Sequence, residues 1–171
     1  MLAPVDSKVF LHPGDFYFGD SDVHVHTLLG SCISITLWHP RLHIGGMCHF
    51  VLPKRSRSDT TPLNGRYGDE AMDLFKREVM ARGTKPSDYH GKIFGGSDML
   101  SQQTDKKADL IGMRNAEAAM QMLMTEDIDI LVAHVGETGH RRIIFDIQSG
   151  DVWVRHETAN HHVQASTSGR I

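Results

Sequence analysis

Both thiols of this chain and a neighbouring imidazole lie in one short stretch, LLGSCISITLWHPRLHIGGMCHFVLP, from Leu28 to Pro53. Cys32 and Cys48 are the two cysteines, and His49 directly follows the second. A thiol that meets an imidazole can attack a carbonyl carbon. The imidazole takes the thiol proton and later gives it to the leaving group. Such a pairing predicts thiolate character at Cys32, because a nearby imidazole lowers a thiol pKa. Gly30-Ser31, just before Cys32, is a small pair that lets backbone N–H groups approach a bound group and stabilise an oxyanion. The ordinary fate of a free cysteine is nonetheless buried packing, and one Cys with one His does not define an enzyme.

Two elements must bring these groups together. Ile33 to Trp38 and Ile44 to Leu52 are apolar runs rich in β-branched and aromatic residues, separated by His39-Pro40-Arg41. The pattern predicts a strand, a turn and a second strand. Antiparallel pairing returns the end of the second strand to the start of the first, where Cys32 and His49 sit. Side chains alternate along a strand, so if His49 faces Cys32 then Cys48 faces away and packs. Cys32, Cys48 and His49 fit no common zinc spacing. His24 and His26 share one face of a predicted strand, Val23 to Leu28, but no third ligand follows at a metal-binding interval, so that face is expected to be polar surface. His134, at the end of another predicted strand, is a second candidate imidazole, against the usual outcome of a satisfied core histidine.

The whole chain, 171 residues with 40% apolar and 23% charged residues, suits one globular domain. A formal charge of −3 gives no electrostatic reason to expect nucleic acid. No apolar run has the length of a membrane span, and MLAPVDSKVF lacks the features of a secretion signal, which points to the cytoplasm and to reduced thiols. Helices are expected over Asp69 to Arg82, capped by Asp69, and over about Asp109 to Met124, with Met113, Ala116, Met120 and Leu123 on the buried stripe. Lys54 to Gly68 and Ser101 to Lys107 are expected loops, and Gly95-Gly96 an ordinary turn. Arg141 to Ile147 and Asp151 to Arg155 form a predicted hairpin around Ser149-Gly150. Strands outnumber helices and come in hairpins, so the class is α+β with antiparallel or mixed sheets. The domain is expected over residues 1–156, followed by a polar, flexible tail over 157–171.

The wording of several blocks is more specific than any of these signals. LLGSCISITLWHP, GGMCHFVLP, RYGDEAM, KIFGGSDML, IGMRNAEA and GETGHRRIIFDIQSGDVWV together resemble the CheD family, the chemoreceptor glutamine deamidases of bacterial chemotaxis. The resemblance implies Cys32 as nucleophile, His49 as base and Thr27 as the hydroxyl residue that orients it. It implies an α/β/β/α sandwich of two β-sheets flanked by helices, related to the deamidating domain of cytotoxic necrotizing factor. It implies conversion of glutamine to glutamate in methyl-accepting chemotaxis proteins, hydrolysis of receptor methyl esters by the same acyl chemistry, and the phosphatase CheC as a partner. No metal or cofactor is called for. A non-enzymatic chemotaxis adaptor that binds receptors or CheC is the alternative, and a cysteine hydrolase of small amides is a third.

Overall fold

The computed structural model describes residues 7–20, 22–99, 110–159 and 164–171. Ten strands and two helices are described: β1 (Ser7–Leu11), β2 (Phe16–Asp20), β3 (Val23–Leu29), β4 (Ile33–His39), β5 (Ile44–Cys48), α1 (Gly68–Ala81), β6 (His90–Gly95), α2 (Leu110–Thr125), β7 (Asp129–Val135), β8 (His140–Asp146), β9 (Val152–Ala159) and β10 (Gln164–Arg170). The strands form two five-stranded sheets, ordered β1-β3-β8-β9-β10 and β2-β5-β4-β6-β7. Each is mixed. β1 runs parallel to β3, and β6 parallel to β7, while the other pairs are antiparallel. The α+β class and the predicted β4–β5 and β8–β9 hairpins are therefore present.

Two apolar layers hold the assembly. Between the sheets, Val25, Leu29, Ile143, Phe145, Val152 and neighbours meet Met47 and Phe94. On the other face of the second sheet, Ile33, Ile35, Leu37 and Cys48 meet Met72, Phe75 and Val79 of α1 and Ala116, Ala119 and Leu123 of α2. Both helices thus lie on one side. The layer order among the described residues is α/β/β, where helices on both sides are expected from the resemblance. The outer face of the first sheet instead carries exposed Phe10, Leu28 and Trp153. Polar ties also cross between the sheets: Trp38 Nε1 donates to the Ile147 carbonyl at 2.7 Å, and Lys92 Nζ donates to the carbonyls of Gly150 and Ile171 at 2.9 and 2.8 Å.

β9 runs through the anticipated 156/157 boundary to Ala159, and β10 pairs with it from Gln164 to Arg170. Backbone pairing needs no apolar side chains, so a Ser/Thr-rich segment can form an edge strand. Two expectations need correction. Asp69 does not cap α1. Tyr67 occupies the cap position without a side-chain bond, and the N–H groups of Gly68 and Asp69 donate to the carbonyls of Leu52 and Pro53 at 2.9 and 3.0 Å. The preceding chain satisfies the orphan donors that a cap would otherwise take. On α2, Met113 and Met120 are exposed, and the buried face carries Gly112, Asn115, Ala116, Ala119 and Leu123. A Cβ at Gly112 would stand 2.5 Å from the carbonyl oxygens of Gly96 and Ser97. Close approach of helix to sheet, not side-chain hydrophobicity, chose that face. The loop expected at Ser101 to Lys107 lies outside the described residues.

Phe75 centres the helix-side layer, fully buried and edge-on to Phe16 at 4.9 Å between ring centroids. Phe75→Ala is expected to lower stability by about 3–5 kcal/mol through lost burial and a residual cavity. Urea unfolding followed by tryptophan fluorescence measures it, and a midpoint unchanged from the parent would refute this placement of the core.

Candidate active site

Strand β3 delivers Thr27 into the space between the sheets, and its end leads into Gly30-Ser31-Cys32. β5 ends at Cys48, and His49 continues it as far as a bridge between Ile33 and Phe50. Ile33 and Phe50 exchange both backbone bonds, at 3.0 and 2.9 Å. Both side chains enter the helix-side layer. Met47, two residues before His49, and Cys32 pack on the inter-sheet layer. Alternation therefore sets His49 and Cys32 on the inter-sheet side as diagonal cross-strand neighbours, with roughly 7–8 Å between their Cα atoms. Cys48 points the other way and is fully buried among the helix-side residues, as alternation predicts.

One hydrogen bond fixes the state of His49. Thr27 Oγ1 lies 2.7 Å from His49 Nδ1 and 2.8 Å from the Leu11 carbonyl oxygen. A carbonyl only accepts, so the threonine hydroxyl spends its one proton on Leu11. Its oxygen must then accept from Nδ1–H. This leaves the Nε2 lone pair free to act as a base. Nε2 is buried and has no hydrogen-bond partner among the described residues. Burial also lowers the imidazole pKa to about 4, with Asp15 opposing and His12 adding to the shift, so the ring is neutral near pH 7.

The Cys32 thiol departs from expectation. Burial raises the Cys32 thiol above its ordinary value, and the Arg66 guanidinium only partly offsets that. Cys32 therefore rests as a thiol beside a neutral imidazole, not as a preformed ion pair. Base-assisted attack, with the proton leaving as the carbon–sulfur bond forms, suits such a pair. Sγ and Nε2 are not hydrogen-bonded here, and catalytic contacts of this kind tighten when substrate arrives.

The carbonyls of the Gly30-Ser31-Cys32 loop are tied to the 95–97 segment and to α2. Ser97 N–H donates to the Gly30 carbonyl at 3.0 Å, and Gly96 N–H to the Cys32 carbonyl at 2.9 Å. Among the described residues the backbone N–H groups of Gly30, Ser31 and Cys32 are engaged in no hydrogen bond. Gly95-Gly96 is thus more than a turn. Both residues have positive φ, and a Cβ on Gly95 would stand 2.2 Å from the Cys32 carbonyl oxygen. Only glycine lets this backbone pass so close to the Gly30-Ser31-Cys32 loop.

Two further residues carry the site and were not singled out for it from the sequence. Asn115 of α2 donates through Nδ2 to the carbonyls of Ser31 (3.0 Å) and Val51 (2.8 Å). Arg141 is buried and forms no ion pair with a carboxylate among the described residues. It donates to the carbonyls of Gly95 and Gly136, to Ser97 Oγ and to His134 Nδ1. That assigns His134 to the support of Arg141. Their position in repeated family wording was the available signal, since the contacts span up to 84 residues of sequence. His24 faces Asp146, with Nε2 and Oδ1 3.8 Å apart, and no group of three or more His, Cys, Asp or Glu among the described residues is arranged to hold a metal ion. The 54–66 loop is pinned to α1 by Arg55, which grips buried Glu70 through two bonds of 3.0 Å.

These environments predict opposite behaviour for the two thiols. Cys48 is fully buried and its pKa is pushed up to about 12, so iodoacetamide should label Cys32 first. Because the Cys32 pKa is raised, labelling should be slow at pH 7 and accelerate through the alkaline range as the thiolate forms. Peptide mapping across a pH series checks both. Preferential labelling of Cys48 in the folded protein would refute the alternation.

The sequence pattern described as CheD chemotactic sensory transduction matches residues 51–156. That span begins after His49 and includes Asn115 and Arg141. A probable chemoreceptor glutamine deamidase CheD 3 of Dechloromonas aromatica is 51% identical over 147 residues, covering 86% of this chain and 86% of that one. A probable chemoreceptor glutamine deamidase CheD of Pseudomonas syringae pv. tomato is 44% identical over 159 residues, covering 92% and 94%. The solved structure of the Bacillus licheniformis hypothetical protein YfiH is similar at a TM-score of 0.45 and 13% identity, over 77% of this chain and 60% of that one. With relatives this similar over nearly their full lengths, and a family pattern over most of the chain, this protein belongs to the CheD family.

Proposed function

We propose that this protein is a cysteine-dependent deamidase that converts glutamine side chains of methyl-accepting chemotaxis proteins to glutamate. The observation that carries the reading is the Thr27–His49 bond of 2.7 Å, which leaves a neutral imidazole with a free Nε2 on the same side of the sheet as Cys32. Family relatives named as chemoreceptor glutamine deamidases supply the substrate class. As the Cys32 sulfur attacks the carboxamide carbon, His49 Nε2 takes the thiol proton. The C=O electrons move onto oxygen, and backbone N–H groups of the Gly30-Ser31-Cys32 segment stabilise that oxyanion. The imidazolium then protonates the amide nitrogen, ammonia leaves and a thioester remains. His49 next takes a proton from water, hydroxide adds to the thioester, and collapse releases glutamate while the proton returns to sulfur. Thr27 holds the ring through both halves, the orienting task of a third residue in a cysteine–histidine site.

Related readings belong to the same proposal. A receptor methyl ester presents the same acyl carbon with methanol as leaving group, so the site suits esterase chemistry too. We assign the protein to the cytoplasm, since none of the described helices is long and apolar enough to cross a membrane and the proposed substrate is the cytoplasmic part of a receptor. CheC is the proposed regulatory partner, and the deamidating domain of cytotoxic necrotizing factor the proposed fold relative. Residues 1–156 are the proposed deamidase domain, with β10 closing its sheet from the segment beyond.

Cys32→Ser should abolish conversion of a helical receptor fragment, because serine is a far weaker nucleophile at neutral pH. His49→Ala should lower turnover by about 10²–10⁴, the usual contribution of general acid–base catalysis. The glutamine-to-glutamate mass change, followed beside ammonia release, reads both. Equal conversion by wild type and Cys32→Ser would leave only a receptor-binding adaptor. The pH profile provides a separate check. A base whose pKa is lowered stays unprotonated at mild acidity, so kcat/KM should hold through pH 6 and fall only as pH approaches about 4. An acid limb near the ordinary imidazole value, with the fold intact by fluorescence, would remove His49 as the buried base.

A further inference from the structure

The three consecutive carbonyls of the nucleophile loop are each held by a different donor. Ser97 N–H holds that of Gly30, Asn115 Nδ2 that of Ser31, and Gly96 N–H that of Cys32. In a trans peptide the C=O of one residue and the N–H of the next point in opposite directions. A clamp on the Gly30 carbonyl therefore aims Ser31 N–H away from the clamp. A clamp on the Ser31 carbonyl does the same for Cys32 N–H. The Cys32 carbonyl completes the series: the next N–H, that of Ile33, turns to the Phe50 carbonyl at 3.0 Å. Of the N–H groups that follow these three carbonyls, those of Ser31 and Cys32 are left unbonded among the described residues.

Among the described residues Asn115 is the one side chain that hydrogen-bonds this loop. It also reaches the Val51 carbonyl, two residues beyond His49, with the same Nδ2. The helix thereby joins the nucleophile segment to the base segment at a single atom. The amide cannot turn over, because exchange of its ends would set Oδ1 against two carbonyl oxygens. The structure keeps Oδ1 buried without a partner among the described residues, at a cost usual for an unsatisfied acceptor. Behind the clamp, Arg141 fixes Gly95 and Ser97, so the strap that holds Gly30 and Cys32 is itself held.

We propose that Asn115 is a positioning residue for the deamidation: by fixing the Ser31–Cys32 peptide plane it presents the Cys32 N–H to the oxyanion, and it locks this loop to the His49 segment. The inference rests on the deamidase reading above. It separates Asn115 from residues that set thiol reactivity, since Arg66 is the charged group acting on Cys32. Alkylation by iodoacetamide forms no oxyanion, so it needs the thiol but not the N–H donor.

The experiment compares two reactions of one sulfur. Asn115→Leu keeps the side-chain shape and removes the donor. Its kcat on a receptor fragment should fall about 10- to 100-fold, short of or near the ~10²–10³ of deleting an oxyanion donor outright, with KM changed by less than about threefold. The rate of Cys32 alkylation, and its dependence on pH, should stay within about twofold of wild type. Unlabelled Cys48 reports an intact core in the same maps. If Asn115→Leu exposes Cys48, Asn115→Ala, which removes the donor without introducing a branched side chain, is judged by the same measures. Equal kcat in the variant and wild type overturns the proposal. So does a parallel loss of deamidation and Cys32 alkylation, or exposure of Cys48 in both variants, since each means a purely structural role. A wild-type chain that modifies no receptor fragment overturns the deamidase reading, and this inference with it.

Discussion

A single proton on Thr27 decides what the site can be. The hydroxyl gives it to the Leu11 carbonyl, and that choice makes the threonine oxygen an acceptor for His49. Had the hydroxyl donated to the ring instead, Nδ1 would hold the lone pair's role and Nε2 would carry the proton. The base would then face the wrong way. Leu11 belongs to β1 and Thr27 to β3, which pair in parallel within one sheet, while His49 follows β5 of the other. The tautomer is therefore set by how the two sheets are stacked. Met47, Phe94 and their partners across the inter-sheet layer hold that stacking, so the apolar packing and the protonation state are one constraint.

Several buried polar groups lie where that constraint acts. His49 Nε2, Asn115 Oδ1 and Ser34 Oγ are buried without a partner among the described residues, as is His26 Nε2 on the other face of β3. Arg141 adds a buried guanidinium whose bonds go to carbonyls, a hydroxyl and an imidazole, with no carboxylate among them. Such groups lower stability relative to an apolar core. Around them the backbone is bent into left-handed conformations at Gly95, Gly96, Gly136 and Glu137. Strain and unsatisfied polarity at one place are the marks of a region shaped for chemistry, with stability supplied by the layers on either side.

The sequence made the hairpin legible because both its signals are local: alternation fixes the face, and Pro40 in the intervening segment fixes the break. That was enough to turn Cys48 away from His49. It was not enough to show the thiol's state, since the desolvation that raises Cys32 comes from the sheet packed above it. The same limit explains α2. Periodicity favoured Met113 and Met120 as buried, but contact with the strap at Gly96 and Ser97 required Gly112, Asn115 and Ala116 on that face. β10 was hidden for a different reason: its pairing is carried by the backbone, and its Ser/Thr-rich side chains resemble those of a loop. Asn115 and Arg141 stood in recognisable blocks, yet their roles depend on carbonyls far away in sequence.

The proposed reaction starts from a raised thiol and a lowered imidazole. Transfer of the proton from sulfur to Nε2 is uphill in the free protein, because burial disfavours both the thiolate and the imidazolium that would result. The proposed attack therefore starts from the neutral thiol and the neutral imidazole. The transfer becomes favourable only when negative charge moves off sulfur onto the carboxamide oxygen, where oriented N–H groups meet it. Attack and proton transfer are then coupled, and the Cys32 sulfur gains nucleophilicity from the substrate's presence. In the proposed mechanism the clamp on the loop carbonyls aims these donors before any charge appears. The same desolvation keeps the resting thiol protonated and slow toward other electrophiles, so selectivity for a carbonyl follows from the burial that sets both pKa values.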